Sequence, residues 1–433
     1  MKDLQTYYIK TYGCAMNYAD SARIRGVLKD VGMQEVENFE DADVIILNSC
    51  SVRKQAEDKI RGWSIKLKGY KKNDKVVVLT GCMAVRKDRK EGSKKNYAKE
   101  IKNKNPWVDY VLDIQDLMEL PELLGVENFN REKKLYLDII PEYGNEFLVN
   151  VPISTGCNFF CSYCVVPFSR GKLEHRDYYE IMSEVEFHLK NGAKIISLVA
   201  QNANSWRGFK DDQKIDFANL LEDVASLDYD FWVSFVSSNP MDFSDRMIEV
   251  IKDNGKIMRG INIAVQSGSN RILEKMNRKY SVEEFEELVS KIKKEIPDIR
   301  LTTDIIVGFP GETRGDFQKT LDLIKKMEFQ MVYVGKYSPR EGTASADLKN
   351  DVGIEEKKRR ERILKQEVNS LREKFHNDFV KKELDALIVG GRKAISYYYH
   401  EILLEEPVKE HYIGAFNRVL ITKATLSGLV AKV

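Results

Sequence analysis

No run in this chain is long and apolar enough to span a bilayer, and the first residues, "MKDLQTYYIK", lack the apolar centre of a signal peptide. A membrane protein is therefore not expected, and the cytoplasm is the expected compartment. An excess of one charge is also missing: 69 Lys and Arg against 67 Asp and Glu leave a net charge of +2. That balance excludes a general polycation, so any contact with nucleic acid must come from local patches. Histidines number five and cysteines six in 433 residues. In a reducing compartment so few thiols are expected as metal ligands or catalytic groups rather than as disulfides. What is present is an ordinary globular balance, 43% hydrophobic and 31% charged. It suffices to bury real cores, and the length suits two to four domains.

The first third alternates apolar and amphipathic stretches. "TYYIKTYG", "ADVIILNS" and "KVVVLTG" read as strands. Helices are predicted from about Ser21 to Val31 and through "RKQAEDKIRGWSIKLKGY". Such alternation predicts a parallel-sheet α/β domain over residues 1–125. Cys14, Cys50 and Cys82 each fall at the C-terminal end of one of these strands. That edge is where open parallel sheets bind ligands. The alternative, three cysteines buried as small hydrophobes, asks for the same placement three times without a reason.

From Phe147 the alternation restarts and runs longer. The strands read "FLVNVPIS", "KIISLVAQ", "DFWVSFVS", "GINIAVQS", "RLTTDIIVGF" and "MVYVGKYS", with helical patterns such as "SVEEFEELVSKIKKEI" between them. Six strand–helix units predict a partial (β/α)6 barrel over 145–350, open on one side and so roomy enough for a large substrate. The segment 351–378, "GIEEKKRRERILKQEVNSLREKF" within it, predicts a long exposed charged helix supported by opposite charges three and four apart. Residues 379–433 turn β-rich and predict a small β-barrel or sandwich.

The densest chemistry lies in "ISTGCNFFCSYCVVP", Ile153 to Pro167. Cys157, Cys161 and Cys164 follow the first barrel strand, at the mouth where barrel active sites lie. Zinc sites close with four ligands, and ferredoxin clusters use four cysteines at other spacings. Three thiols instead suit a cubane iron–sulfur cluster whose fourth iron stays open to a small molecule.

This CxxxCxxC stretch resembles the signature of the radical SAM superfamily. The resemblance implies that Cys157, Cys161 and Cys164 hold a 4Fe-4S cluster, whose open iron binds S-adenosyl-L-methionine (SAM) and whose electron cleaves it. The whole layout, an N-terminal three-cysteine α/β domain, a radical SAM barrel and a C-terminal β module, resembles the methylthiotransferase family. "TYGCAMNYADS", "GCNFFCSYCVVPFSRG", "QNANSW", "VQSGSNRILEKMNRKYS", "DIIVGFPGET" and "YSPREGTASADL" are most similar to its tRNA branch. That branch adds a methylthio group to C2 of an isopentenyl-adenosine beside the anticodon. Sister branches act on threonylcarbamoyl-adenosine in tRNA or on a ribosomal protein aspartate.

The resemblance further implies a second, auxiliary 4Fe-4S cluster on Cys14, Cys50 and Cys82, and a TRAM-like RNA-binding barrel at the C-terminus. For SAM it suggests Tyr163 and Gly308, the latter in the turn "GFPGE". Gln201, Gln266 and Ser267, at strand ends, are further candidates for the cofactor, and Asn202 and Asn204 for the substrate. Each of these could equally be core packing or a loop anchor. The implied partners are the tRNA anticodon stem-loop, an electron donor such as a flavodoxin or ferredoxin, and a sulfur or cluster donor; a monomer is expected. Two basic runs, "KKNYAKEIKNKN" and "KKRRERILK", and the tyrosines Tyr397, Tyr398 and Tyr399 are candidates for phosphate and base contacts. A reading of a different class is a non-catalytic RNA-binding protein whose cysteines hold zinc.

Overall fold

The computed structural model describes residues 4–51, 54–67, 75–85, 95–126, 135–144 and 146–433. Five strands, β1 (Thr6–Tyr12), β2 (Gln34–Glu35), β3 (Val44–Ser49), β4 (Val76–Thr80) and β5 (Tyr110–Val111), form a sheet in the order β2-β1-β3-β4-β5. Every pairing in it is parallel. Every residue of β3 is buried, as a strand covered on both faces requires. Helices α1 (Ala15–Asp30), α2 (Lys54–Lys66) and α3 (Lys95–Lys104) connect the strands, and a single turn, α4 (Leu120–Leu123), follows the sheet. The expected helix from Ser21 begins six residues earlier. Its first turns bury polar residues, Asn17, Asp20, Ser21 and Arg23, which hides the helical period from a reading based on apolar spacing. Parts of the second expected helix and the first residue of "KKNYAKEIKNKN" lie outside the described residues.

The second unit opens with β6 (Leu148–Pro152). A short antiparallel pair, β7 (Ser154–Thr155) and β8 (Glu174–His175), then brackets the cysteine loop and its one-turn helix α5 (Val166–Ser169). After α6 (Tyr178–Lys190) come β9 (Ile195–Val199), the hairpin β10 (Arg207–Lys210) and β11 (Gln213–Asp216), α7 (Phe217–Ser226) and β12 (Trp232–Phe235). Helix α8 (Asp245–Asp253) leads to β13 (Gly260–Asn262), followed by α9 (Asn270–Lys275), α10 (Val282–Glu295), β14 (Arg300–Val307), α11 (Arg314–Met327) and β15 (Met331–Lys336). Strands β6-β9-β12 and β13-β14-β15 are parallel triplets. Parallel bridges Val233–Ile257 and Ser238–Ile263 join them, so six parallel strands curve in sequence order. The partial barrel expected from the sequence is present.

Side chains alternate across each strand. Val149, Val151, Ile196, Leu198, Val233 and Phe235 belong to the main core against the helices. The intervening residues Asn150, Ser197 and Ser234 stand in register across three strands and form a buried polar row on the opposite face.

Helix α12 (Ile354–Asn377) fills the charged segment, but it is not exposed throughout. Lys357, Arg360, Leu364, Val368, Leu371 and His376 make one buried stripe, and three of them enter the main core. At about 1.5 Å per residue its 24 residues extend roughly 36 Å.

The C-terminal strands β16 (Glu383–Gly390), β17 (Lys393–Ser396), β18 (Glu401–Leu404), β19 (Phe416–Ala424) and β20 (Leu429–Lys432) close into a barrel in the order β16-β17-β18-β20-β19. This barrel docks on the N-terminal ends of the larger barrel's strands. Trp232, first in β12, meets Tyr397 and Phe416 at ring distances of 5.4 and 4.4 Å. The Tyr397 hydroxyl donates to the Ile257 carbonyl at 2.6 Å. Tyr397 and Tyr398 therefore serve an internal interface, with the Arg300 guanidinium over the Tyr398 ring at 5.6 Å. Of the three tyrosines considered for base stacking, Tyr399 is the exposed one.

Candidate functional site

The N-terminal triad follows from the sheet. Cys14 is two residues beyond β1, Cys50 one beyond β3 and Cys82 two beyond β4, so three neighbouring parallel strands deliver them to one edge. The turn before Cys82 needs glycine: Gly81 has φ +86°, and a Cβ there would lie 2.3 Å from Asn48 Oδ1. Asn48 in turn donates to the Asn17 carbonyl at 2.7 Å and to Ser21 Oγ at 2.9 Å. Asn17 accepts from the Cys14 N–H at 3.2 Å. A buried amide network thus ties the Cys14 loop to β3, the central strand beside it.

Burial pushes the Cys82 thiol up to about 12; Arg170 opposes the rise, and Cys50 and Cys14 add to it. The three are close enough to feel one another's charge. Cys14 is exposed, while Cys50 and Cys82 are buried, so the triad has one open side.

The second triad sits in residues 156–173, between β7 and β8. The Cys157 N–H donates to the Gly171 carbonyl at 3.3 Å, and the Cys164 N–H to the Cys161 carbonyl at 2.9 Å. Ser162 anchors the loop to the next segment: its hydroxyl donates to the Lys275 carbonyl at 2.8 Å and its N–H to the Met276 carbonyl at 3.0 Å. Burial raises the Cys157 and Cys164 thiols, and Cys161 adds to both. All six cysteines are thiols, not disulfides.

Each triad has its own arginine, and neither was singled out in the sequence. Arg170 is fully buried. Its Nε donates to Cys82 Sγ at 3.1 Å. Its Nη1 donates to the Tyr136 hydroxyl at 3.0 Å and to Asp20 Oδ1 at 3.2 Å, and Nη2 pairs with the other Asp20 oxygen. Burial alone would lower Arg170, but Asp20 and Cys82 hold it well above the ordinary arginine value. At the other triad, Arg278 Nη1 lies 3.5 Å from Cys161 Sγ, with Nη2 on the Ala264 carbonyl at 2.7 Å and Nε on Tyr280 at 2.8 Å. Spacing gave no signal for either: Arg170 lies 88 positions from Cys82, and Arg278 lies 117 positions from Cys161.

These surroundings fit iron–sulfur clusters. Thiols that the fold holds protonated lose their protons to a metal, and a neighbouring guanidinium compensates the resulting thiolate charge. Among the described residues no three His, Cys, Asp or Glu side chains close on a point where one ion would sit. The hydroxyls of Ser197, Ser234 and Ser238 and the Gln201 amide oxygen are buried without a hydrogen-bond partner in the described structure.

The remaining candidates divide. Tyr163 packs against Ile272, Met276, Phe309 and Tyr337. Gln266 has φ +74° and bridges to β14, donating to the Asp304 carbonyl at 2.8 Å. Ser267 is buried and accepts from the Ser269 N–H at 3.3 Å. Gly308, with φ +71°, donates to Glu312 Oε2 at 2.6 Å. Asn202 and Asn204 are buried and turned onto Asp242 and Asn239, at 2.7 and 2.9 Å.

Residues 151–324 match the radical SAM superfamily, and residues 6–113 match uncharacterized protein family UPF0004. The tRNA-2-methylthio-N(6)-dimethylallyladenosine synthase of Clostridium tetani is 37% identical over 399 residues, covering 90% of this chain and 86% of that one. That of Bacillus subtilis is 36% identical over 90% of this chain and 77% of its own. The chain belongs to the tRNA-2-methylthio-N(6)-dimethylallyladenosine synthase family. Among solved structures, a radical S-adenosylmethionine methyltransferase from Kitasatospora setae, with cobalamin and a [4Fe-4S] cluster bound, aligns at TM-score 0.51. It is 14% identical and covers 79% of this chain and 77% of that one, which shows a shared fold. The two matched regions pack together: α1 of the first lies on β6, which leads into the second.

Proposed function

We propose that this protein is a radical SAM methylthiotransferase that adds a methylthio group to C2 of isopentenyl-adenosine next to the anticodon of tRNA. The observation that carries the reading is the presence of two cysteine triads on strand-end loops, each with an arginine at one sulfur, Arg170 buried and Arg278 half-buried, in a chain of this family. Cys157, Cys161 and Cys164 would hold one 4Fe-4S cluster and Cys14, Cys50 and Cys82 the auxiliary one. When bound, the first cluster and SAM supply the radical chemistry that an unactivated aromatic C–H demands, and the auxiliary cluster serves sulfur transfer.

The chain's own residues do the rest. Arg278 donates to the barrel triad and fixes its loop through the Ala264 carbonyl. The hydroxyls of Ser197 and Ser234 and the amide of Gln201 face the cofactor as unspent polar groups, and Tyr163 and Gly308 border its adenine. The working partners are a tRNA anticodon stem-loop, an electron donor such as a flavodoxin or ferredoxin, and a sulfur or cluster donor, for a monomer in the cytoplasm.

Mass spectrometry of tRNA nucleosides tests the reading in cells lacking their own enzyme. Methylthio-isopentenyl-adenosine should appear with this gene and not without it. Threonylcarbamoyl-adenosine or a ribosomal protein aspartate carrying the methylthio group instead would overturn the substrate assignment. With the purified protein loaded anaerobically, about eight irons per chain are expected. Cys14→Ala, Cys50→Ala or Cys82→Ala should abolish methylthiolation while 5′-deoxyadenosine still forms.

A further inference from the structure

Arg170 belongs to the barrel's cysteine loop, six residues after Cys164, yet its guanidinium ends at the other triad. We propose that Arg170 is a positioning residue that couples the two cysteine sites, fixing the barrel loop to the N-terminal triad and setting the reduction potential of whatever that triad holds. The inference rests on the cluster reading of Cys14, Cys50 and Cys82.

Three observations lead there. The guanidinium is spent entirely on the first unit: Nε on Cys82 Sγ at 3.1 Å, and its other nitrogens on Asp20 and Tyr136. Its backbone is fixed from both sides as well. The Arg170 N–H donates to the Val166 carbonyl at 2.8 Å within the loop, and its carbonyl accepts from Gln115 Nε2 at 2.7 Å, across the interface. The ensemble is also dry: Arg170 and Asp20 are 1% and 0% exposed. In such a place one unit of charge beside a thiolate cluster acts almost unscreened.

The consequence is a signed prediction. A cation donating to the sulfur favours the reduced, more negative state, so its removal lowers the potential; removal of the Asp20 carboxylate raises it. A purely structural contact would destabilise in both cases and move the potential in neither. Substitutions at outer-shell partners of this kind typically cost about 10- to 100-fold in affinity or activity. Here the loss should fall on methylthiolation per SAM cleaved, with cleavage itself spared.

The test uses the full-length chain with Cys157→Ala, Cys161→Ala and Cys164→Ala, so that only the N-terminal triad is loaded. Its cluster is followed by electron paramagnetic resonance during a redox titration. The result expected is a more negative midpoint for Arg170→Gln, a more positive one for Asp20→Asn, and a return towards the starting value in the double variant. Failure of the parent to bind a cluster overturns the cysteine assignment and this inference with it. A cluster that forms and whose midpoint ignores both substitutions overturns the role of Arg170 alone. If Arg170→Gln does not fold, Asp20→Asn decides the matter by itself: a rise supports the coupling and an unmoved midpoint refutes it.

Discussion

Gly308 shows how closely the turn in "GFPGE" is specified at single residues. Its φ of +71° disfavours any side chain, and a Cβ there would stand 2.3 Å from Cγ of the buried Lys357. Gly308→Ala should therefore destabilise the chain by about 1–3 kcal/mol. The urea midpoint checks that cost, and isothermal titration with SAM should register weaker binding in the same variant. The motif "GFPGE" was legible in sequence, but Lys357 was not. A lysine in a basic run reads as solvated, and only α12 lying across the turn explains its burial. Asn202 and Asn204 teach the converse. They sit in the family-like stretch "QNANSW", yet their amides are turned onto Asp242 and Asn239, so their first task is to shape a loop.

At the scale of an element, α12 is the clearest departure from expectation. Charge spacing predicts its existence, and surface pairs such as Lys365–Glu361 at 2.9 Å fit that prediction. The buried stripe carries a different burden. Arg360 reaches the carboxylate and the carbonyl of Glu312, while that carboxylate also accepts the Gly308 N–H. Burial pushes Glu312 up, and the Gly308 N–H and Arg360 pull it back. The helix thus buttresses the Gly308 turn, which is proposed to border the cofactor. Arg360→Ala leaves a buried carboxylate short of its cation and should cost about 3 kcal/mol. Chemical denaturation measures this, and the same substitution made on a Glu312→Gln background should cost clearly less.

Across the whole molecule, buried charge joins the two cysteine-bearing units. Glu184 of α6 accepts from Arg23 of α1 at 2.7 Å and from Arg176, just beyond β8, at 2.7 Å. Burial alone would raise Glu184, but Arg23 and Arg176 outweigh it and bring the carboxyl down to about 2. Its folded value therefore lies below the ordinary 4.5. The stability it confers is complete above pH 4.5 and is lost as pH falls towards 2, on the order of 3 kcal/mol in all. Urea midpoints measured down this range should fall, and Glu184→Gln should flatten that dependence while lowering stability at neutral pH. Screening by salt should matter little, because the pair is out of solvent.

Local pattern was enough for the sheet, the six-stranded barrel, a small β-rich C-terminal module and the placing of the cysteines at strand ends, whereas barrel or sandwich was left open for that module until the strands were seen to close. These follow from strand periodicity and from thiols at strand ends, which are properties of short windows. The partners of those thiols were decided by packing. Arg170 meets Cys82 across 88 positions and Arg278 meets Cys161 across 117, and no local spacing encodes such a meeting. The start of α1, the inward face of α12 and the interfacial use of Tyr397 have the same cause. Polar residues enter a protein interior only where a partner from elsewhere satisfies them, so their burial is legible once the chain has brought that partner into place.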